Sequence, residues 1–93
     1  IGISIQDLID LNILPEIENF GGRRALIISQ KYINDLSGLQ NIPGLDNLSI
    51  LSIDSNKLTS IAPRAFEGFN GESLFLNNNN ISYIAPNAFA GAP

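Results

Sequence analysis

The sequence predicts an α/β solenoid: a short right-handed coil with a parallel concave β-sheet and an N-terminal helical cap. Two observations predict it. One pattern occurs twice between Leu48 and Phe89 at a fixed spacing, and residues 1–20 carry helical periodicity with no copy of that pattern. In the first copy the marked positions are Leu48, Leu51, Ile53, Asn56, Leu58, Ile61 and Phe66. In the second they are Gly71, Leu74, Leu76, Asn79, Ile81, Ile84 and Phe89, each 23 residues further on. Leu51 and Ile53 flank Ser52, and Leu74 and Leu76 flank Phe75, so period two puts an apolar face on each short strand.

Leu-x-x-Leu-x-Leu-x-x-Asn-x-Leu at a fixed short period resembles the leucine-rich repeat family. The Ala-Pro-x-Ala-Phe that follows each copy (Ala62–Phe66 and Ala85–Phe89) resembles the subtype with a phenylalanine on the convex side. The resemblance implies a curved stack of coils that mediates protein–protein contacts. Asn56 and Asn79 end the two strands, and an amide with two donors and an acceptor can satisfy backbone groups where the chain turns inward. At the repeat period they would form a structural Asn ladder; the alternative is a pair of surface turn residues.

Residues 1–22 read as the N-terminal helical cap and 23–93 as about three repeats, the last incomplete. Ser4 and Asp7 form a capping-box-like start, and Ile5, Leu8 and Ile9 follow helical spacing. Pro15, with Glu16 and Glu18 behind it, predicts a second helix whose Ile17 and Phe20 share a face and which Gly21-Gly22 terminates. The function of this part is to cover the open end of a solenoid, or else to dock on another chain. Ala25–Ser29 is the next strand, with Leu26 and Ile28 aligned to Leu51 and Ile53 at an offset of 25, and Lys31 where Asn is expected. From Leu36 to Leu48 apolar residues recur every three, which suits 3₁₀ turns. This part is similar to internalin-type repeats. Pro63 and Pro86 end extended pairing, and Phe66 and Phe89 each bury a ring in the return. Gly71 replaces Leu48, which predicts a looser second return. The outer edge of the last coil is expected to expose Leu74, Leu76, Ile81, Ile84 and Phe89, inviting self-association.

Composition narrows the function. The net charge is −4 and the five basic residues form no stripe, so nucleic acid is not the expected partner. No apolar run is long enough to insert in a membrane. With no Cys and no His, the chain has no disulfides, no Cys/His zinc site and no His-based triad. No cofactor is implied. Extracellular leucine-rich repeats of animals usually carry disulfide-bonded caps, so the absence of Cys favours an intracellular or bacterial setting. The start at Ile1 and the stop just after Phe89 read as a piece of a larger protein. Asn47 and Asn80 head Asn-x-Ser triplets, which arise often by chance.

The strand positions that alternate away from the core are the candidate site. Ile27, Ile50, Ser52, Asp54, Ser73, Phe75 and Asn77 are the predicted partner-binding residues: an apolar patch with a polar rim, anchored by Phe75. Gly21-Gly22-Arg23-Arg24 is a lesser candidate for an anion, and Asp54-x-Asn56 offers too few carboxylates for calcium. The predicted function is a binding module for a protein or peptide, not an enzyme. The alternatives are a structural spacer in a surface or adhesion protein, or an accessory region of a multidomain enzyme.

Overall fold

A computed structural model describes residues 2–92. The described residues open with a two-residue strand, β1 (Ile3–Ser4), that runs into α1 (Ile5–Asp10), the one α-helix among them. The Ser4 hydroxyl accepts from the Asp7 amide at 3.0 Å, and the Asp7 carboxylate accepts from the Ser4 amide at 2.9 Å. That is a complete capping box with the shorter acid in the third position. Ile5 and Leu8, on one face, are 0% and 3% exposed and join the main core.

The second helix expected from Pro15 to Phe20 does not form. Glu18–Phe20 is strand β2, antiparallel to β3 (Arg23–Ile27). Gly21 and Gly22 join them with φ of +61° and +86°. Two consecutive left-handed residues match the twist of a hairpin, whereas a helix C-cap needs only one. The glycine pair therefore makes the turn, and Glu18 and Phe20 become sheet residues.

The remaining elements are β4 (Ile33–Asp35), two 3₁₀ turns (Leu39–Asn41 and Leu45–Asn47), β5 (Ile50–Ser52), β6 (Ser60–Ile61), β7 (Ser73–Phe75) and β8 (Tyr83–Ile84). One four-stranded sheet has the order β2-β3-β5-β7. Its last three strands are parallel and stack the repeat: Leu26 pairs with Leu51 and Leu51 with Leu74. The return side carries two separate parallel pairs, β1 with β4 and β6 with β8, not a continuous wall. The stack is thus solenoid-like, made of small sheets. Leu26, Ile28, Leu51, Ile53, Leu58, Ile61 and Phe66, all at most 1% exposed, fill the space between the two sides.

Two asparagines tie the coils together. Asn56, 5% exposed, accepts at Oδ1 from the amides of Lys31 (3.0 Å) and Ile33 (3.1 Å). Its Nδ2 donates to the carbonyls of Ile28 (2.8 Å) and Asp54 (2.9 Å). Asn79 likewise accepts from the Leu58 amide (2.9 Å) and donates to the Ile53 carbonyl (3.0 Å). Lys31 contributes only its amide. Before each of these turns the chain passes through a left-handed residue, at Gln30, Ser55 and Asn78, with φ of 56°, 56° and 59°.

The sequence expects Phe89 both to bury its ring in the return and to stand exposed at the outer edge. Phe66 is fully buried, but Phe89 stays 44% exposed; it stacks on Phe66 with ring centroids 5.5 Å apart. Only its inner face has a neighbouring coil. Nor is the return at Gly71 loose, because the Phe69 ring fills it. A Cβ on Gly71 would come within 2.5 Å of that ring and 2.6 Å of the Leu48 carbonyl. Phe69 is 4% exposed and fills space that a side chain at position 71 would need.

Asn56→Ala would leave the Ile33 amide and Ile28 carbonyl unpaired in a buried site, and is expected to cost ~1–3 kcal/mol in urea unfolding. Phe66→Ala removes a fully buried ring and is expected to cost ~3–5 kcal/mol by the same measurement.

Candidate functional site

The exposed face of the four-stranded sheet is built by alternation. In β3, β5 and β7 the residues that point away from the core lie in cross-strand rows: Ala25–Ile50–Ser73 and Ile27–Ser52–Phe75. The antiparallel β2 adds Glu18 beside Ala25 and Phe20 beside Arg23. Ile27 and Phe75 are 37% and 48% exposed on either side of Ser52, and Phe20 at the opposite edge is 50% exposed. Ile50 and Ser73 are half-buried in the first row. The face therefore carries one apolar side chain on each of its four strands, Phe20, Ile27, Ile50 and Phe75, with a ring at each edge.

Not every predicted position is open to a partner. Ser52 is 8% exposed, since Ile27 and Phe75 flank it and its hydroxyl turns to Asp54. Ala25, which the alternation also puts on this face, is 1% exposed under its neighbours on β2 and β5. Asn77 is exposed and its carbonyl accepts from the Ser55 amide at 3.0 Å, which continues the ladder past β7.

Asp54 is the organised polar group of the rim. Its carboxylate accepts from the hydroxyls of Ser52 (2.7 Å), Ser29 (3.1 Å) and Ser55 (3.2 Å). The Ser52 hydroxyl, followed by those of Ser29 and Ser55, holds the carboxyl below its ordinary value of 3.8, against the opposing push of partial burial. The charge stays on this end of the face. At the other end Arg23 pairs with Glu72 across the sheet, both side chains more than half exposed. Such a pair adds little to stability. It also takes up one cation of the Gly21–Arg24 stretch, whose glycines make the hairpin turn rather than an anion nest.

The residues that sequence reasoning missed, Glu18 and Phe20, sit on β2. The signal for them was the Gly-Gly pair, read as a hairpin instead of a helix end. Asn56 uses both lone-pair directions and both N–H groups on backbone, so Asp54-x-Asn56 has no second ligand to offer a metal. Among the described residues no three His, Cys, Asp or Glu side chains lie close enough together to hold a metal ion.

A polar groove of about 610 Å³ lies on the return side, where β4 and β6 do not pair. Asp7, Asp35, Ser60 and Arg64 are among the residues that line it. Asp35 accepts from the Ser37 hydroxyl and amide, which lower its pKa, and Arg64 pairs with Glu67 at 3.1 Å. Its charged groups have partners within the chain.

A family model for leucine rich repeats matches residues 46–93. No curated protein and no solved structure matches the chain significantly. Among the described residues no helix is long and apolar enough to cross a membrane.

The depressed pKa of Asp54 sets a direction for pH. Its hydrogen bonds contribute stability above the pKa of an unfolded Asp, and that contribution is lost as pH falls through the folded value. Urea midpoints measured from neutral pH to about pH 2.5 are expected to fall on the acid side, and Asp54→Asn is expected to flatten that fall. Asp35, also depressed, retains its own share of the slope.

Proposed function

Since the chain belongs to the leucine-rich repeat family, whose repeats are generally protein-interaction modules, we propose that it holds a protein or peptide ligand on the exposed face of its four-stranded sheet. In this reading residues 1–22 cap a right-handed coil and residues 23–93 are the repeats. The observation that carries the proposal is the exposed pair Ile27 and Phe75, in one cross-strand row, with Phe20 at the far edge. Apolar side chains gain nothing by facing water, and a rigid aromatic anchor within a polar rim is how such faces acquire binding free energy. Asp54 extends the fit. A charged carboxylate fixed by three serines beside the apolar row suits a ligand that sets an apolar side chain next to a lysine or arginine.

The role is one of binding, not chemistry. The serine hydroxyls of this face donate to Asp54, whose lowered pKa makes it a weak base, and the chain has no His or Cys with which to build a stronger pair.

The test is a displayed peptide library selected on wild-type chain and on Phe75→Asp. Phe75 is half exposed, so the variant is expected to melt as wild type. Wild type is expected to enrich apolar–basic peptides, and Phe75→Asp to bind them at least ~30-fold more weakly, the size of a hot-spot loss. Equal enrichment on both baits would move the function away from this face.

A further inference from the structure

We propose that the ligand of the sheet face presents one lysine, whose stem lies along a crease above Ser52 and whose ammonium meets Asp54. This rests on the reading of that face as the binding surface, and names the side chain it selects. The crease follows from side-chain size. Ser52 is the smallest member of the row Ile27–Ser52–Phe75. Strands lie about 4.8 Å apart, so the backbones that carry Ile27 and Phe75 are separated by about 10 Å, with only a hydroxymethyl group between. Both large side chains reach solvent while Ser52 is 8% exposed, so they form the walls of a shallow apolar crease along β5. The half-buried Ile50 stands at one end and Asp54 at the other. The amide of Ile53 donates to the Phe75 carbonyl and that of Ser55 to the Asn77 carbonyl, so the strands stay in register as far as Asp54.

The carboxylate selects the head group. A carboxylate has about four acceptor directions, two on each oxygen. Oδ2 of Asp54 takes the Ser29 and Ser55 hydroxyls, and Oδ1 takes the Ser52 hydroxyl alone. One direction is left, on the oxygen bonded to the floor of the crease. Two ion pairs form among the described residues, and Asp54 is in neither. Its charge is therefore fixed in place without a cation. A guanidinium meets a carboxylate best as a fork, with one N–H on each oxygen, and Oδ2 has no direction to give it. An ammonium is a point charge that needs only one. The stem fits as well. Ser52 and Asp54 are two residues apart on extended backbone, about 6.6 Å, which a four-carbon stem spans while it covers apolar surface on the way. A purely apolar side chain in the crease would cover the carboxylate and leave it without a cation.

The experiment begins with a displayed random-peptide library selected on wild type. One enriched peptide is synthesised with lysine, arginine or norleucine at its basic position. Binding is measured by calorimetry on wild type, Asp54→Asn and Ser29→Ala, each checked for a wild-type melting curve. On wild type the lysine peptide is expected to bind at least about tenfold more tightly than norleucine, which keeps the stem and lacks the charge. It is also expected to bind several-fold more tightly than arginine. These comparisons need no variant to fold. Asp54→Asn is expected to bind lysine and norleucine peptides equally. Ser29→Ala frees a direction on Oδ2 and is expected to bring arginine level with lysine. Enriched peptides that lack a basic residue, norleucine or arginine matching lysine on wild type, or a lysine preference that survives Asp54→Asn would each overturn the inference and leave the sheet face as the binding surface. No enrichment on wild type, or equal enrichment on Phe75→Asp, would overturn that reading and the lysine site with it.

Discussion

Asn56 is the constraint on which the stack depends. A coil that turns inward must leave backbone amides and carbonyls facing its own interior, where water cannot reach them. One planar amide meets four of these groups, at Ile28, Lys31, Ile33 and Asp54, and three belong to the preceding coil. No charged or hydroxyl side chain offers two acceptor directions and two donors in one plane. The apolar layers supply the bulk of the burial, but they are tolerant of shape. The amide fixes how far one coil sits from the next, and with it the register that aligns Leu26, Leu51 and Leu74.

What the residues revealed in advance follows from how directly they encode it. The repeat, the strand faces and the 3₁₀ turns were legible because each rests on a spacing that recurs: 23 residues, two residues and three residues. The β2–β3 hairpin was not. Glu18–Phe20 is too short to display alternation, Ile17 and Phe20 fit a helical face equally well, and a Gly-Gly pair suits both a helix end and a tight turn. The return-side strands were hidden for another reason. Ser60, Tyr83, Asn34 and Asp35 carry no apolar alternation, and they pair because the neighbouring coil brings their backbones together. Of the candidate site, Ile27 and Phe75 were readable from alternation, whereas the burial of Ser52 depends on its neighbours across the sheet.

The sheet face and the return side solve opposite problems. On the face, parallel strands pack closely and carry side chains with few charges, so apolar surface accumulates in rows. On the return side the chain spends its charged groups locally, as in the Asp35–Ser37 and Arg64–Glu67 contacts, and the charged groups that line the groove between β4 and β6 already have partners. In the proposed reading a ligand would meet its apolar surface on the sheet rather than on the return side. The hydroxyls around Asp54 matter in the same way: they hold a charge in one place without neutralising it.

The asparagine bonds also have a polarity. Asn56 reaches back to Ile28, Lys31 and Ile33, and Asn79 reaches back to Ile53 and Leu58; in both cases the amide completes groups that precede it in the chain. During synthesis the groups to be satisfied therefore emerge from the ribosome before the side chain that satisfies them. Each coil waits, open, for the one translated after it, and the chain gains its tightness in the direction in which it is made.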